Sequence, residues 1–324
     1  MLHNWNEVEK LQPRVFRLLQ NAIIKNRVAH AYLFEGSKGI GRYACSLLLA
    51  KTLLCLQKKN KPCNECHNCI RIDTGNHPDI IHVKPDGSTI KKEQIQLLQK
   101  EFSYSSYEND KKIYIIEEAD KMTNSAANSL LKFLEEPVSD SIAILLTERS
   151  SAMLTTIVSR CQVIKFSSLP SSLVEEALSE YFIFGEEAKV LSKLTSDVTE
   201  ASKISEEHTL GPKLKMVQEF IEKSRTVSVY TLKNQLADVF KGKQETHLFF
   251  QLVILWYEDL LNYHTNRTEH LTFNETAVQN VANIYNIATV LRLIQCTQKY
   301  QKRVHSNVGF NSLFDGFIAE IHGL

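Results

Sequence analysis

Two stretches carry residues whose types and spacing suit phosphate chemistry. In "LFEGSKGIGRY" (33–43) an apolar run leads into Gly36, Gly39 and Gly41, and a helical pattern follows. Glycines let a loop curl its N–H groups toward phosphate oxygens, and the helix N-terminus adds partial positive charge. A working loop of the form G-x-x-x-x-G-K-[ST] then supplies a Lys to the β and γ phosphates and a hydroxyl to Mg²⁺. Gly36 and Gly41 hold the two glycine positions, but Arg42 and Tyr43 stand where Lys and Ser or Thr belong. A planar guanidinium does not replace a compact ammonium at a crowded site. The Tyr43 hydroxyl, at the far end of a ring, cannot take the place of an oxygen on Cβ. The second stretch, "IYIIEEAD", is an apolar strand ending in two carboxylates. Glu117 takes the position that holds Mg²⁺, one methylene longer than the usual Asp, and Glu118 the position that orients the attacking water. Both metal-side positions, Tyr43 and Glu117, thus depart from type. An ordinary strand–helix turn accounts for the glycines alone, but not for the strand before them and the paired acids downstream. The expectation is a phosphate-loop backbone with efficient hydrolysis lost and ATP binding weak or absent.

A different chemistry is written into "CLQKKNKPCNECHNC". Cys63, Cys66 and Cys69 form C-x-x-C-x-x-C, and Cys55 precedes them at the end of a helical pattern. Short C-x-x-C loops place two thiolates on one Zn²⁺ with backbone N–H groups turned toward the sulfurs, and four thiolates make a closed, structural site. An iron–sulfur cluster also takes four cysteines, free thiols are the remaining alternative, and His67 is a rival ligand. The chain has seven cysteines, and their clustering favours metal over disulfides. Cys45 and Cys296 lie in apolar helical patterns and read as buried thiols.

The elements that must hold these residues alternate. "HAYLFEG", "PDIIHVKP", "KKIYIIEEAD", "SIAILLT" and "CQVIKF" read as strands; "YACSLLLAKTLLCLQ", "KKEQIQLLQKEFS" and "TNSAANSLLKFLEEP" read as helices, the last with a Thr or Asn cap and a Pro stop. The apolar runs lack period-two alternation, as expected of parallel strands buried on both faces. After "SSLPSS" (167–172) the pattern turns helical throughout, with a further break at Gly211-Pro212. The last helix places Phe310, Leu313, Phe314, Phe317, Ile318 and Ile321 on one face, which fits either its own domain core or an oligomer contact.

With 324 residues there is material for two or three domains. A net charge of +1 gives no electrostatic case for nucleic acid as the main partner. A free-standing zinc-finger DNA binder is disfavoured by that balance, by the absence of aromatics around the cysteines and by a basic run of only "KKNK" (58–61). "MLHNWNEVEK" has neither a basic n-region nor an apolar h-region, and "LFFQLVILWY" is too short to span a bilayer. The expected location is cytoplasmic, with no membrane partner.

Taken in order, the altered loop, the Cys₄ insertion, "NHPDIIHV", "IIEEADKMTNSAANSLLKFLEEP" and "TTIVSRC" resemble the clamp-loader subunits of bacterial DNA polymerase III, members of the AAA+ group. The likeness is dense from Val28 to Phe166 and thinner beyond. The motor subunits gamma and tau carry an intact Gly-Lys-Thr loop. Arg42 and Tyr43 do not match it, and the chain is more similar to the delta-prime branch, where the loop is eroded and the Ser-Arg-Cys triplet kept. The resemblance implies an AAA+ α/β domain over 1–167, with the zinc module at about 55–69. It further implies a small helical lid over 168–210 and an all-α collar over 211–324. It implies that Arg160, between Ser159 and Cys161, acts in trans as an arginine finger on ATP bound by a neighbour, and that Thr147 holds the polar sensor position. It implies a non-hydrolysing stator without polymerase activity of its own. Its partners would be gamma or tau and delta, and through them the sliding clamp and primed DNA. A weakly ATP-binding or ATP-hydrolysing subunit of the gamma/tau kind is the alternative.

Overall fold

The computed structural model describes residues 4–57, 61–103, 111–135, 140–208, 210–223, 234, 236–304 and 310–323. Three residues of the basic run, 58–60, the Pro stop at Pro137 and the side chain of Phe310 lie outside them. The chain divides into two compact units, Met1–Leu169 and Pro170–Leu324.

In the first unit, β1 (Ala31–Glu35), β2 (Ile80–Val83), β3 (Lys111–Ile116), β4 (Asp140–Thr147) and β5 (Gln162–Lys165) form one sheet in the order β2-β3-β4-β1-β5. All four pairings are parallel. Around it run α1 (Trp5–Leu11), α2 (Pro13–Ile24), α3 (Arg42–Leu54), α4 (His67–Asp73), α5 (Lys92–Ser103), α6 (Asn124–Glu135) and α7 (Thr155–Val158). Successive residues of a strand point to opposite faces, and here each face meets its own core. Tyr32, Phe34, Ile113, Ile115, Ile142, Ile144 and Leu146 pack with Val8 of α1, Val15 and Leu19 of α2 and Leu48 of α3. Ala31, Leu33, Tyr114, Ile116, Ala143 and Leu145 pack with Leu98 of α5, Leu130 and Phe133 of α6 and Ile157 of α7. Burial on both sides is why these strands read as unbroken apolar runs. Thr123 caps α6, its hydroxyl accepting the Ala126 N–H at 3.2 Å.

The second unit is helical: α8 (Ser171–Leu178), α9 (Gly185–Leu194), α10 (Val198–His208), α11 (Leu210–Lys223), α12 (Lys243–His264), α13 (Glu275–Ala282), α14 (Ile287–Arg303) and α15 (Phe310–His322). Gly211 and Pro212 fall in the first turn of α11, where a missing N–H costs no helical bond. The run "LFFQLVILWY" is the buried middle of α12. The apolar face of α15 belongs to this unit's own core. Phe314 and Phe317 are fully buried, with ring centroids 5.0 Å from Phe249 and Phe250 respectively. Among the described residues no helix is long and apolar enough to cross a membrane.

Candidate phosphate-loop site and cysteine cluster

The loop 36–41 joins the carboxyl end of β1 to α3. The Gly36 N–H donates to the Thr147 carbonyl at 3.1 Å, extending the β1–β4 pairing one step into the loop. A Cβ on Gly36 would lie 2.3 Å from Ile40 Cδ1 and 3.1 Å from the Phe166 carbonyl oxygen, so only glycine fits. Gly39 and Gly41 are left-handed, at φ 77° and 91°. Gly41 caps α3 without a side chain, and no acidic residue sits in the first turn. The first-turn N–H groups, which have no partner within a helix, are therefore left to the loop side. The backbone half of the motif is intact.

The side-chain half is rebuilt. Arg42 and Tyr43 are the first two residues of α3. Partial burial lowers the Arg42 pKa from its ordinary value, while Glu148, Asp120, Glu118 and Glu117 pull it back up. The guanidinium thus sits in a field of carboxylates and keeps its charge. The Tyr43 ring packs 5.8 Å from the His82 ring, and Lys84 Nζ lies over the Tyr43 ring, 5.6 Å from its centroid. Burial, and after it the charge of Glu117, raises the Tyr43 phenol above its usual range. Burial holds His82 below its ordinary value, against the pull of Glu117.

Glu117 Oε1 pairs with Lys84 Nζ at 3.2 Å. Glu118 has a left-handed backbone, φ 49° and ψ 49°, which turns the chain sharply after β3. Its carboxylate pairs with Lys121. Two residues on, Asp120 accepts the hydroxyl proton of Thr147 at 2.8 Å. Thr147 is fully buried at the end of β4, and its oxygen also accepts the Arg149 N–H at 3.2 Å. Thr147 is thus bound to an acid of the same "EEAD" run. Each predicted loop residue stands at the carboxyl edge of the sheet, where ligands of open α/β sheets bind.

Sequence reasoning missed Lys84, His82 and Asp120. Asp120 stood in the quoted run. Lys84 becomes visible only through register: Val83 pairs with Ile116, which sets Lys84 beside Glu117.

Arg160 lies at the other edge. It precedes β5, whose first residue Gln162 pairs with Tyr32 near the start of β1, whereas the loop follows Glu35 at the end. Four residues of strand separate the two levels, roughly 13 Å. Arg160 Nη2 is 2.5 Å from Glu135 Oε1, and Nη1 donates to the Thr156 carbonyl at 2.9 Å.

The four cysteine sulfurs converge. Those of Cys55, Cys63, Cys66 and Cys69 all lie within 4.8 Å of one another, and Cys63 and Cys69 are 3.9 Å apart. Zn–S bonds of about 2.3 Å in a tetrahedron put sulfurs about 3.8 Å apart. The Cys63 N–H points to Cys55 Sγ at 3.4 Å and the Cys66 N–H to Cys63 Sγ at 3.3 Å. Burial alone raises the Cys66 thiol, but N–H groups of Cys69 and Leu56 and the neighbouring thiols outweigh it and bring it to about 6. Cys69 is pushed up to about 12, first by burial and then by its contacts with Cys66 and Cys55, against the Asn64 N–H. Four sulfurs crowded this closely suit one cation between them, which would draw off their protons. The set fits one four-coordinate metal ion and does not include His67.

A family model described as "DNA polymerase III, delta subunit" matches residues 11–170. The DNA polymerase III subunit delta' of Bacillus subtilis is 39% identical over 323 residues, covering 98% of both chains. The chain belongs to the DNA polymerase III delta-prime family. The tau subunit of the same organism is 33% identical over 50% of this chain and 29% of its own length. Among solved structures, a gamma subunit-related protein from Thermotoga maritima shares 17% identity at a TM-score of 0.47, covering 95% of this chain and 98% of its own. In this delta-prime chain the glycine loop therefore leads into a helix opened by Arg42 and Tyr43, beside a Glu117 paired with Lys84.

Proposed function

We propose that this delta-prime chain is a non-hydrolysing stator of the replicative clamp loader, supplying Arg160 in trans to ATP held by an adjacent subunit. The observation that carries the reading is position. Arg160 stands at the edge of the sheet opposite its own phosphate loop, with its side chain 36% exposed. A guanidinium there can serve a neighbour's γ-phosphoryl group and not its own chain's. Fixed positive charge aimed at a transferring phosphoryl group is the strongest contribution such a residue makes. Tyr43 in place of a hydroxyl beside Cβ, and Glu117 engaged by Lys84, support the loss of Mg²⁺-dependent hydrolysis in this chain.

The partners in this reading are gamma or tau and delta, with the sliding clamp and primed DNA reached through them, in the cytoplasm. Residues 168–210 form the lid and 211–324 the collar of the assembly. Cys55, Cys63, Cys66 and Cys69 hold a structural Zn²⁺. Their sulfurs lie too close together to surround a multi-iron core, and all four ligand positions are filled by protein.

Arg160→Ala tests the proposal. The variant is expected to fold and to assemble, and to lower the ATPase and clamp-loading rates of the reconstituted complex. Unchanged rates would remove the in-trans role. A weak ATPase is the second reading, favoured by the intact glycine cradle and by Glu118. Robust turnover by the isolated chain that disappears in Glu118→Gln would establish it instead.

A further inference from the structure

We infer that Glu135 is the positioning residue for Arg160, holding its guanidinium in the orientation that meets a neighbour's phosphates. The inference rests on the in-trans reading of Arg160. Its basis is the geometry at the end of α6. Glu135 is the last described residue of that helix, and Arg160 follows the four-residue α7. The carboxylate takes Nη2 at 2.5 Å and the Thr156 carbonyl takes Nη1 at 2.9 Å. Two anchors on different elements fix both terminal nitrogens, and with them the plane of the group. Each terminal nitrogen carries a second N–H, so one donor on each is left for another acceptor.

The backbone beside Arg160 is held too. The Arg160 N–H donates to the Ile157 carbonyl at 3.0 Å and the Cys161 N–H to the Val158 carbonyl at 3.2 Å. The Ser159 hydroxyl donates to the Thr156 carbonyl at 3.0 Å. Cys161 packs against the core on the α6 face of the sheet. What remains free to move is the side chain of Arg160, and Glu135 restrains it. An unrestrained arginine loses rotamer freedom when it docks; a restrained one has lost it beforehand.

Helix stability does not explain the acid. The carboxyl end of a helix carries partial negative charge and disfavours Asp and Glu. Glu135 sits at that end and is 47% exposed, so neither its own helix nor the core calls for a carboxylate. The guanidinium does.

The test is a double-substitution cycle in the complex reconstituted with the ATP-hydrolysing subunits. Steady-state ATPase is measured for the wild type, Glu135→Gln, Arg160→Ala and the pair. Glu135→Gln is expected to lower kcat about two- to fivefold, the range of a half-exposed ion pair, and to leave KM for ATP unchanged. In the Arg160→Ala background it adds nothing. Glu135→Asp, which keeps the charge on a shorter arm, falls between wild type and Glu135→Gln and guards against a fold defect. Three results overturn the inference. An equal loss from Glu135→Gln in both backgrounds makes its role structural. A full rate in Glu135→Gln beside a reduced rate in Arg160→Ala shows that the finger needs no holding. A full rate in Arg160→Ala removes the in-trans reading itself, and this inference falls with it.

Discussion

Lys84 Nζ lies 3.2 Å from Glu117 Oε1, so the carboxylate that ends β3 is paired with an ammonium just past the neighbouring strand β2. The same Lys84 lies over the ring of Tyr43, 5.6 Å from its centroid. The two departures read in the sequence are thus one local arrangement, a cation, an aromatic ring and an acid, and on the proposed reading it stands where Mg²⁺ would need open oxygens.

From this follows the behaviour of the isolated chain toward nucleotide. ATP binding, where it is measurable, is expected to be the same with Mg²⁺ and with chelator. Replacing Arg42 by Lys and Tyr43 by Thr, together with Lys84→Ala, frees Glu117 and restores a hydroxyl beside Cβ. That triple variant is expected to bind ATP more tightly when Mg²⁺ is present. Fluorescent-nucleotide titration reads both. Binding by the wild type that Mg²⁺ tightens by about tenfold, or about 1.4 kcal/mol, would contradict the account.

The cysteine cluster predicts one metal ion per chain. Cys55 and Cys69 are buried, so their sulfurs give up solvation that only a ligand restores. Such an ion would tie α3 to α4, alongside the Lys51–Asp73 ion pair at 2.7 Å and the Asn68 amide donated to the Leu54 carbonyl at 2.8 Å. Elemental analysis is expected to find zinc, and Cys69→Ser to lose it and lower the unfolding temperature. Metal retention falls as acid protonates the thiolates. A purified chain with visible iron–sulfur absorption, or fully stable and metal-free, would refute the assignment.

How much of this was legible in the sequence depends on what each residue needs in order to be seen. The sheet strands were readable because burial on both faces leaves a local signature, as in Ala31–Phe34. The glycines and cysteines were readable because their spacing alone carries the geometry. Lys84 and Asp120 were not, because their roles arise from strand register and from the turn after β3, neither of which is local. The ownership of the α15 apolar face was equally hidden. Helical periodicity shows that Phe314 and Phe317 face one way, but only tertiary packing shows that Phe249 and Phe250 meet them.

Gly36 makes a prediction about stability that is independent of nucleotide. Alanine there would bring its Cβ to 2.3 Å from Ile40 Cδ1 and to 3.2 Å from Phe166 Cβ. Ile40 is itself buried, so its side chain has little room to retreat. Overpacking of this kind costs typically about 1–3 kcal/mol. Denaturant unfolding of Gly36→Ala is expected to show a loss in that range with the m value unchanged. An unaltered midpoint would mean that the β1–α3 turn can open without cost.

The last prediction concerns pH and the helical unit. Asp259 on α12 is 1% exposed, and its Oδ2 accepts the N–H groups of Thr272 and Phe273, each at 2.8 Å. Burial raises its pKa from 3.8 to about 6, and the two N–H bonds and Lys193 only partly offset that rise. A raised carboxyl binds a proton more tightly when folded than when unfolded. Its contribution to stability is therefore fully present below about pH 3.8 and is lost as pH rises through about 6. The full effect is on the order of 3 kcal/mol. Asp259→Asn keeps an oxygen for the two N–H groups and cannot titrate. Between about pH 4.5 and about pH 7.5, the wild type is expected to lose about 2 kcal/mol relative to this variant, read from urea unfolding at both values. A difference that stays flat, or one of the opposite sign, would show that the two backbone N–H bonds outweigh burial and that the carboxylate is ionised throughout.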